Sequence, residues 1–321
     1  MTIALSLGDP CGIGPELVVK TWRLAISGQV DIPKIIVYGS HHAMINAGLR
    51  EDEIGDPWPQ KLPLVNLDSL VDSHVKPVWG QPDKRFAPLI TTAIAQAVKA
   101  VETGVCRALV TLPIAKSVLY QSGFSYAGHT EYLGALSGVG ADNTVMMMVS
   151  PRLIVVPATL HVSIANAIKQ ITLPHLSHII RVTHKALTEI FKIHRPRIAV
   201  SGLNPHAGED RSMGDEDATI IAPAIKQMCA EDICVIGPLP ADSMFHEAAR
   251  QRYDAAIMMT HDQALIPFKT LSFDDGVNLT LGLPFIRTSP AHGTAFDIAG
   301  QGIAKPDSLI AALQLAHRLS S

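Results

Sequence analysis

The sequence predicts an α/β fold with a mostly parallel sheet and helices on both faces. Short apolar runs alternate with helix-period segments along the chain, as strand–helix–strand winding requires. One long segment beginning at Phe86 keeps its apolar residues on a single helical face. At 321 residues the chain can form one large unit or two lobes, each with a core of its own.

The elements follow in order. Residues 2–7 read as the first strand, 15–25 as a helix, 34–38 as a second strand and 40–47 as a short helix. Residues 56–88 are Pro-rich and weakly patterned, and read as irregular connection. Phe86, Leu89, Ile90, Ala93, Ile94, Ala97, Val98 and Val101 recur at helical spacing and stop at Gly104. A strand at 108–111 follows. Runs at 145–149 and 153–158 flank Ser150-Pro151 and read as a hairpin, so part of the sheet is antiparallel. Then come a helix at 173–191, a strand at 197–201, a helix at 215–230 and a strand at 233–237. A helix at 242–251, a strand at 255–260 and a last helix at 307–319 complete the pattern. There is no internal repeat and no low-complexity tract.

Composition narrows the function. Hydrophobic residues make up 47% and charged residues 17%, a globular balance. The net charge of −3 and the lack of Lys/Arg clusters argue against nucleic-acid binding. The nearest basic group, His194-Arg195-Pro196-Arg197, reads as a loop before a strand. The first residues lack a basic start and a small-residue cleavage site, and run into Gly8-Asp9-Pro10, a turn. No window approaches a membrane span. Cys11, Cys106, Cys229 and Cys234 form no C-x-x-C pair. A reduced, cytoplasmic protein is expected.

Three of the fourteen histidines share one placement. His161, His206 and His261 each fall just past the end of an apolar run. In parallel α/β sheets that edge is where ligands bind. Three neutral imidazoles converging there suit a divalent transition metal with an open coordination position. Each alone also reads as an ordinary loop histidine.

Other segments carry polar chemistry. Gly8-Asp9-Pro10-Cys11-Gly12-Ile13-Gly14-Pro15-Glu16 is a glycine-rich turn from strand to helix. Its spacing, G-x-x-x-G-x-G, is not the dinucleotide fingerprint, and it reads equally as a tight turn. Gly128-His129-Thr130-Glu131 precedes a helix-like segment. A His-Thr pair there can donate to an anion, and Thr130 can cap the next turn. Lys269, Asn278, Arg287, Thr288, Ser289 and His292 follow His261. A forked cation, a point charge and an amide are a fitting set for phosphate, or else a solvated surface.

Taken together the motifs resemble the 4-hydroxythreonine-4-phosphate dehydrogenase family of pyridoxal phosphate biosynthesis. They are the glycine turn at 8–16, Gly128-His129-Thr130-Glu131, Leu203-Asn204-Pro205-His206-Ala207-Gly208-Glu209 and Gly237-Pro238-Leu239-Pro240-Ala241-Asp242. His261-Asp262-Gln263-Ala264, the stretch 281–289 and His292-Gly293-Thr294-Ala295 complete the set. The resemblance runs in order from about residue 3 to residue 312. It implies a fold similar to isocitrate and isopropylmalate dehydrogenases, two lobes around a central cleft. The lobes would be 1–128 plus 279–321 on the cofactor side, and 129–278 on the metal and dimer side. It also implies NAD or NADP, one divalent metal (zinc, magnesium, cobalt or manganese) and a homodimer whose site takes histidines from both subunits. By position His161, His206 and His261 match the metal ligands. His129, Thr130, Lys269, Asn278 and Arg287 match substrate-binding positions, and Asp242 an acidic residue near the substrate. No residue is assigned to the cofactor. Cys11, Thr260 and Ala291 depart from the family's usual Ala, Tyr and Asp.

The implied reaction is oxidation of 4-phosphooxy-L-threonine at C3 to 2-amino-3-oxo-4-phosphooxybutanoate. That β-keto acid loses CO2 to give 3-amino-2-oxopropyl phosphate. Asp242 or Lys269 would take the hydroxyl proton. Two alternatives stand beside it: a paralogous dehydrogenase of a phosphorylated threonate or erythronate, and a phosphate-ligand binding protein without turnover.

Overall fold

The computed structural model describes residues 1–126, 128–140 and 143–321. Its strands, in chain order, are β1 (Thr2–Ser6), β2 (Lys34–Gly39), β3 (Leu64–Asn66), β4 (Ala108–Thr111), β5 (Val145–Val149), β6 (Ile154–Pro157), β7 (Ile198–Ser201), β8 (Val235–Leu239), β9 (Ala255–Met258), β10 (Val277–Leu281) and β11 (Ile286–Pro290). Two compact units emerge: Met1–Thr144 with Val277–Ser321, and Val145–Gly276.

In the first unit the strand order is β3-β2-β1-β4-β11-β10. All neighbours are parallel except β10 and β11, which form an antiparallel hairpin. The helix Ala87–Glu102 covers one face. Leu89, Ile90, Ala93, Ile94, Ala97 and Val98 are buried beside Ala4 and Leu109 from the sheet. Burying each large aliphatic side chain stabilises by about 1.5–3 kcal/mol, so this stripe anchors the unit.

In the second unit the order is β5-β6-β9-β7-β8. The β5–β6 pair is antiparallel, as the Ser150-Pro151 turn predicts, and the rest are parallel. Helix Leu173–Glu189 starts on a Thr172 cap whose hydroxyl accepts from the His175 N–H.

Three expectations shift. The units divide near 144 and 276, so the segment 129–144 and Asn278 sit in the first unit, not the second. The reason is local: Tyr132 donates to the Thr91 carbonyl at 3.2 Å, and its ring packs on Phe124 and Tyr126. The helix expected at 242–251 shortens to a turn, Ala241–Ser243, and one helical turn, Glu247–Arg250. The helix expected from 215 begins at Asp217 with a wide π turn before Ala222–Ala230. No helix among the described residues is long and apolar enough to cross a membrane.

Candidate active site

Two polar centres stand out, one in each unit. The first unit's centre is built on β10, β11 and β4. Register pairs Arg287 with Thr280 and Asn278 with Ser289, so all four share one sheet face. Arg287 also pairs with Leu109 in parallel register, which brings Thr111, two residues on, to the same face. Arg287 is 2% exposed. Its Nη1 donates to Thr280 Oγ1 at 2.8 Å and its Nε to Thr111 Oγ1 at 3.1 Å, with Nη2 also on Thr111. Burial lowers its pKa to about 10. No carboxylate pairs with it among the described residues. A buried cation held only by hydroxyls retains its appetite for an anion.

His129 opens the helix His129–Leu136 beside this cation. Its Nε2 is buried without a hydrogen-bond partner, and so is Asn278 Oδ1. Burial, then Arg287, then Lys116 hold His129 well below the usual histidine range, so its ring is neutral. Gly128, not Thr130, is the cap residue, which leaves Thr130 half-buried in the first helical turn. Lys116 is a residue the sequence reading missed. A Cβ on Gly128 would lie 3.1 Å from Lys116 Nζ, so the ammonium passes directly over this glycine. An arginine, a lysine and a neutral imidazole with an unused nitrogen make a fitting anion site.

The second unit carries the histidines. His161, His206 and His261 follow the C-terminal ends of β6, β7 and β9, three strands adjacent in the order β6-β9-β7. His161 and His261 come together, with ring centroids 5.6 Å apart and a 48° tilt. His261 heads the helix His261–Leu271, fixed by a Thr260–Gln263 capping box. Its Nδ1 donates to Asp262 Oδ1 at 2.7 Å, which orients the ring. His206 is exposed on the neighbouring loop, with φ at +51°. No group of three His, Cys, Asp or Glu is assembled within one chain among the described residues. The donor set nevertheless fits a divalent metal: two close imidazoles, one oriented by a carboxylate.

Asp242 is exposed on the turn Ala241–Ser243, and Lys269 is exposed in the last turn of His261–Leu271. The structure joins neither to the histidine pair. The glycine turn is not an open cradle. A Cβ at Gly8, Gly12 or Gly14 would lie 2.3, 2.9 and 2.5 Å from the carbonyls of Pro113, Thr294 and Leu7. These glycines let backbone segments approach each other, so the turn does not fit a dinucleotide through its missing side chains.

Known proteins match this chain over nearly its full length. Residues 31–316 match the family model described as pyridoxal phosphate biosynthetic protein PdxA. A 4-hydroxythreonine-4-phosphate dehydrogenase of Bradyrhizobium diazoefficiens is 47% identical over 99% of this chain and 97% of its own length. The crystal structure of a 4-hydroxythreonine-4-phosphate dehydrogenase from Klebsiella pneumoniae superposes with a TM-score of 0.86 at 33% identity, covering 100% of this chain and 99% of that one. A terephthalate 1,2-cis-dihydrodiol dehydrogenase from Burkholderia xenovorans is more distant, with a TM-score of 0.65 at 28% identity over 99% of this chain and 98% of that one. The expected α/β class, isocitrate and isopropylmalate dehydrogenase-like with a mostly parallel mixed sheet, therefore holds. The chain belongs to the pyridoxal phosphate biosynthetic protein PdxA family.

Proposed function

We propose that this chain is a 4-hydroxythreonine-4-phosphate dehydrogenase, oxidising 4-phosphooxy-L-threonine at C3 on the way to pyridoxal 5'-phosphate. The observation that carries this reading is the buried guanidinium of Arg287, held by Thr111 and Thr280 without a carboxylate partner. It supports a phosphorylated over an unphosphorylated substrate. Relatives of the same name, at 47% identity and nearly full length, support the choice within the family.

Each residue has a part. Arg287 with Lys116 binds the phosphate by charge, and Asn278 with His129 orients the substrate through their unused polar atoms. Thr130 adds a hydroxyl at the helix start. Lys269 binds the substrate or serves as base. Asp242 is the other candidate for the base that removes the C3 hydroxyl proton. His161, His206 and His261 would hold one divalent metal, zinc, magnesium, cobalt or manganese. When bound, the metal would supply Lewis acidity at the reacting hydroxyl, and the nicotinamide cofactor, NAD or NADP, would supply the capacity to take up hydride. The product is a β-keto acid, which decarboxylates to 3-amino-2-oxopropyl phosphate. The enzyme works in the cytoplasm as a homodimer, each site drawing histidines from both chains. His161 and His261 of one chain stand together, so sharing would draw His206 from the partner chain.

Absorbance of the reduced nicotinamide separates the alternatives. Turnover with 4-phosphooxy-L-threonine well above that with 4-phosphoerythronate or 4-phosphothreonate is expected. Preference for a phosphorylated sugar acid would make the chain a paralogue. Tight binding without turnover of any of them would make it a binding protein.

A further inference from the structure

We infer that Asp217 is a positioning residue that shapes the loop carrying His206, and through it the metal site. The inference rests on the proposed reading of His206 as a metal ligand. The loop has an unusual backbone. His206, Ala207 and Glu209 all lie in the left-handed region, at φ +51°, +54° and +36°, with Gly208 between them at +84°. Side chains other than glycine resist this conformation, so a run of it persists only where the surroundings impose it.

The imposing group is Asp217. It is 2% exposed and stands at the start of the wide turn Asp217–Ile221. Its Oδ1 accepts from the Leu203 N–H at 2.8 Å. Its Oδ2 accepts from the Asn204 N–H at 3.1 Å and from Asn204 Nδ2 at 2.9 Å. Both oxygens thus grip the residues immediately before His206. The rest of the loop wraps the same carboxylate. A Cβ on Gly202 would meet Asp217 Oδ1 and the Ala207 Cα, each at 2.7 Å. A Cβ on Gly208 would lie 3.3 Å from the Asp217 Cβ. The two glycines are there because the loop closes on Asp217 without room for a side chain. Asn204 Nδ2 also reaches Glu216 Oε2 at 2.9 Å, which steadies the same corner. Among the described residues no cation pairs with this carboxylate; its partners are the loop's own donors.

An Asp217→Asn substitution turns one acceptor oxygen into a donor facing the Asn204 amides, and should let the loop relax. The test is Co(II) binding to the purified full-length protein, by competition with a chromophoric chelator and by the visible absorption of the bound ion. Wild type, Asp217→Asn, His206→Ala and the double variant are compared. Groups that orient a ligand typically contribute about 10–100-fold to metal affinity. Asp217→Asn should weaken Co(II) by about ten-fold or more and alter its visible bands. The double variant should bind no more weakly than His206→Ala, because Asp217 acts only through that ligand. Asp217→Asn with wild-type affinity and spectrum, while His206→Ala loses metal, overturns the role of Asp217 alone. So do losses that add in the double variant. Unchanged binding in His206→Ala would instead overturn the metal reading itself. If Asp217→Asn does not fold, Asn204→Ala, which removes one donor from the same carboxylate, should give a smaller shift in the same direction; no shift would also overturn the inference.

Discussion

Arg287 on β11 donates through Nη1 to the hydroxyl of Thr280, its register partner on β10, at 2.8 Å. Thr111 on β4 receives the other side of the guanidinium. The cation is thus fixed from two strands at once, before any ligand arrives.

Replacing Arg287 by Ala removes a forked, charged donor. Such bonds contribute about 1.5–3 kcal/mol each, so KM for the phosphorylated substrate should rise by about one to two decades. Steady-state kinetics on Arg287→Ala and Arg287→Lys check this, and an unchanged KM in both would remove Arg287 from the substrate site. Thr111→Val leaves the charge but strips two of its bonds. It should lower folding stability by about 1–3 kcal/mol, read as a shift in the urea midpoint.

The histidines predict a metal requirement. His261→Ala should lose most of its bound divalent metal, measured by elemental emission on protein purified without chelator. Metal content and activity at wild-type level would show that His261 is not a ligand.

Sharing between subunits predicts complementation. His206→Ala and His261→Ala chains, each inactive, are co-expressed with different tags and the heterodimer isolated. If the pair His161–His261 of one chain meets His206 of the other, one of its two sites is intact and the other doubly damaged. Activity near half of wild type per heterodimer is expected. A heterodimer as inactive as its parents would mean that each site is built from one chain.

Asp9 predicts an unusual pH dependence of stability. Burial raises its carboxyl from 3.8 to about 6, against the Cys11 N–H on Oδ1, while Oδ2 has no partner. The folded state therefore keeps its proton when the unfolded chain has already lost one. Stability is fully present below 3.8 and declines as pH rises to about 6. The loss is of the order of 3 kcal/mol at most. Asp9→Asn keeps the Cys11 contact and removes the charge. It should raise stability at pH 8 by about 1–3 kcal/mol and leave it unchanged below the ordinary carboxylate range. Parallel curves for the two proteins would mean that Asp9 ionises normally.

His129 works in the opposite direction along the scale. Its ring stays neutral in the fold, while the unfolded chain protonates near 6.5. As pH falls below that value the unfolded state takes up a proton that the folded state does not, and stability declines. His129→Gln should flatten the decline between pH 7 and pH 5 in denaturant titrations. An unaltered slope would place the imidazole in water.

Much of the fold was legible because period and punctuation coincide. The final helix, Asp307–Leu319, has the bounds its apolar spacing gives, and the Ser150-Pro151 turn marks an antiparallel pair. The helix His261–Leu271 was missed, although Thr260 and Gln263 form a capping box three residues apart. The hairpin of β10 and β11 is not among the elements the pattern predicts, since Gly282-Leu283-Pro284 interrupts the apolar residues only briefly. At the site, residue types were legible but partnerships were not. Thr111 lies 176 residues from Arg287 and meets it only through the parallel register of β4 and β11. Lys116 gave no signal, because a lysine after a strand is ordinary until a glycine is found beneath it.

The glycine turn after β1 has one more consequence. At Gly8, Gly12 and Gly14 the nearest obstacle to a side chain is a carbonyl of the main chain. No second-site substitution can shave a carbonyl away, so side-chain changes elsewhere do not relieve these contacts. Their persistence in a lineage would record the geometry of chain assembly and says nothing about cofactor choice.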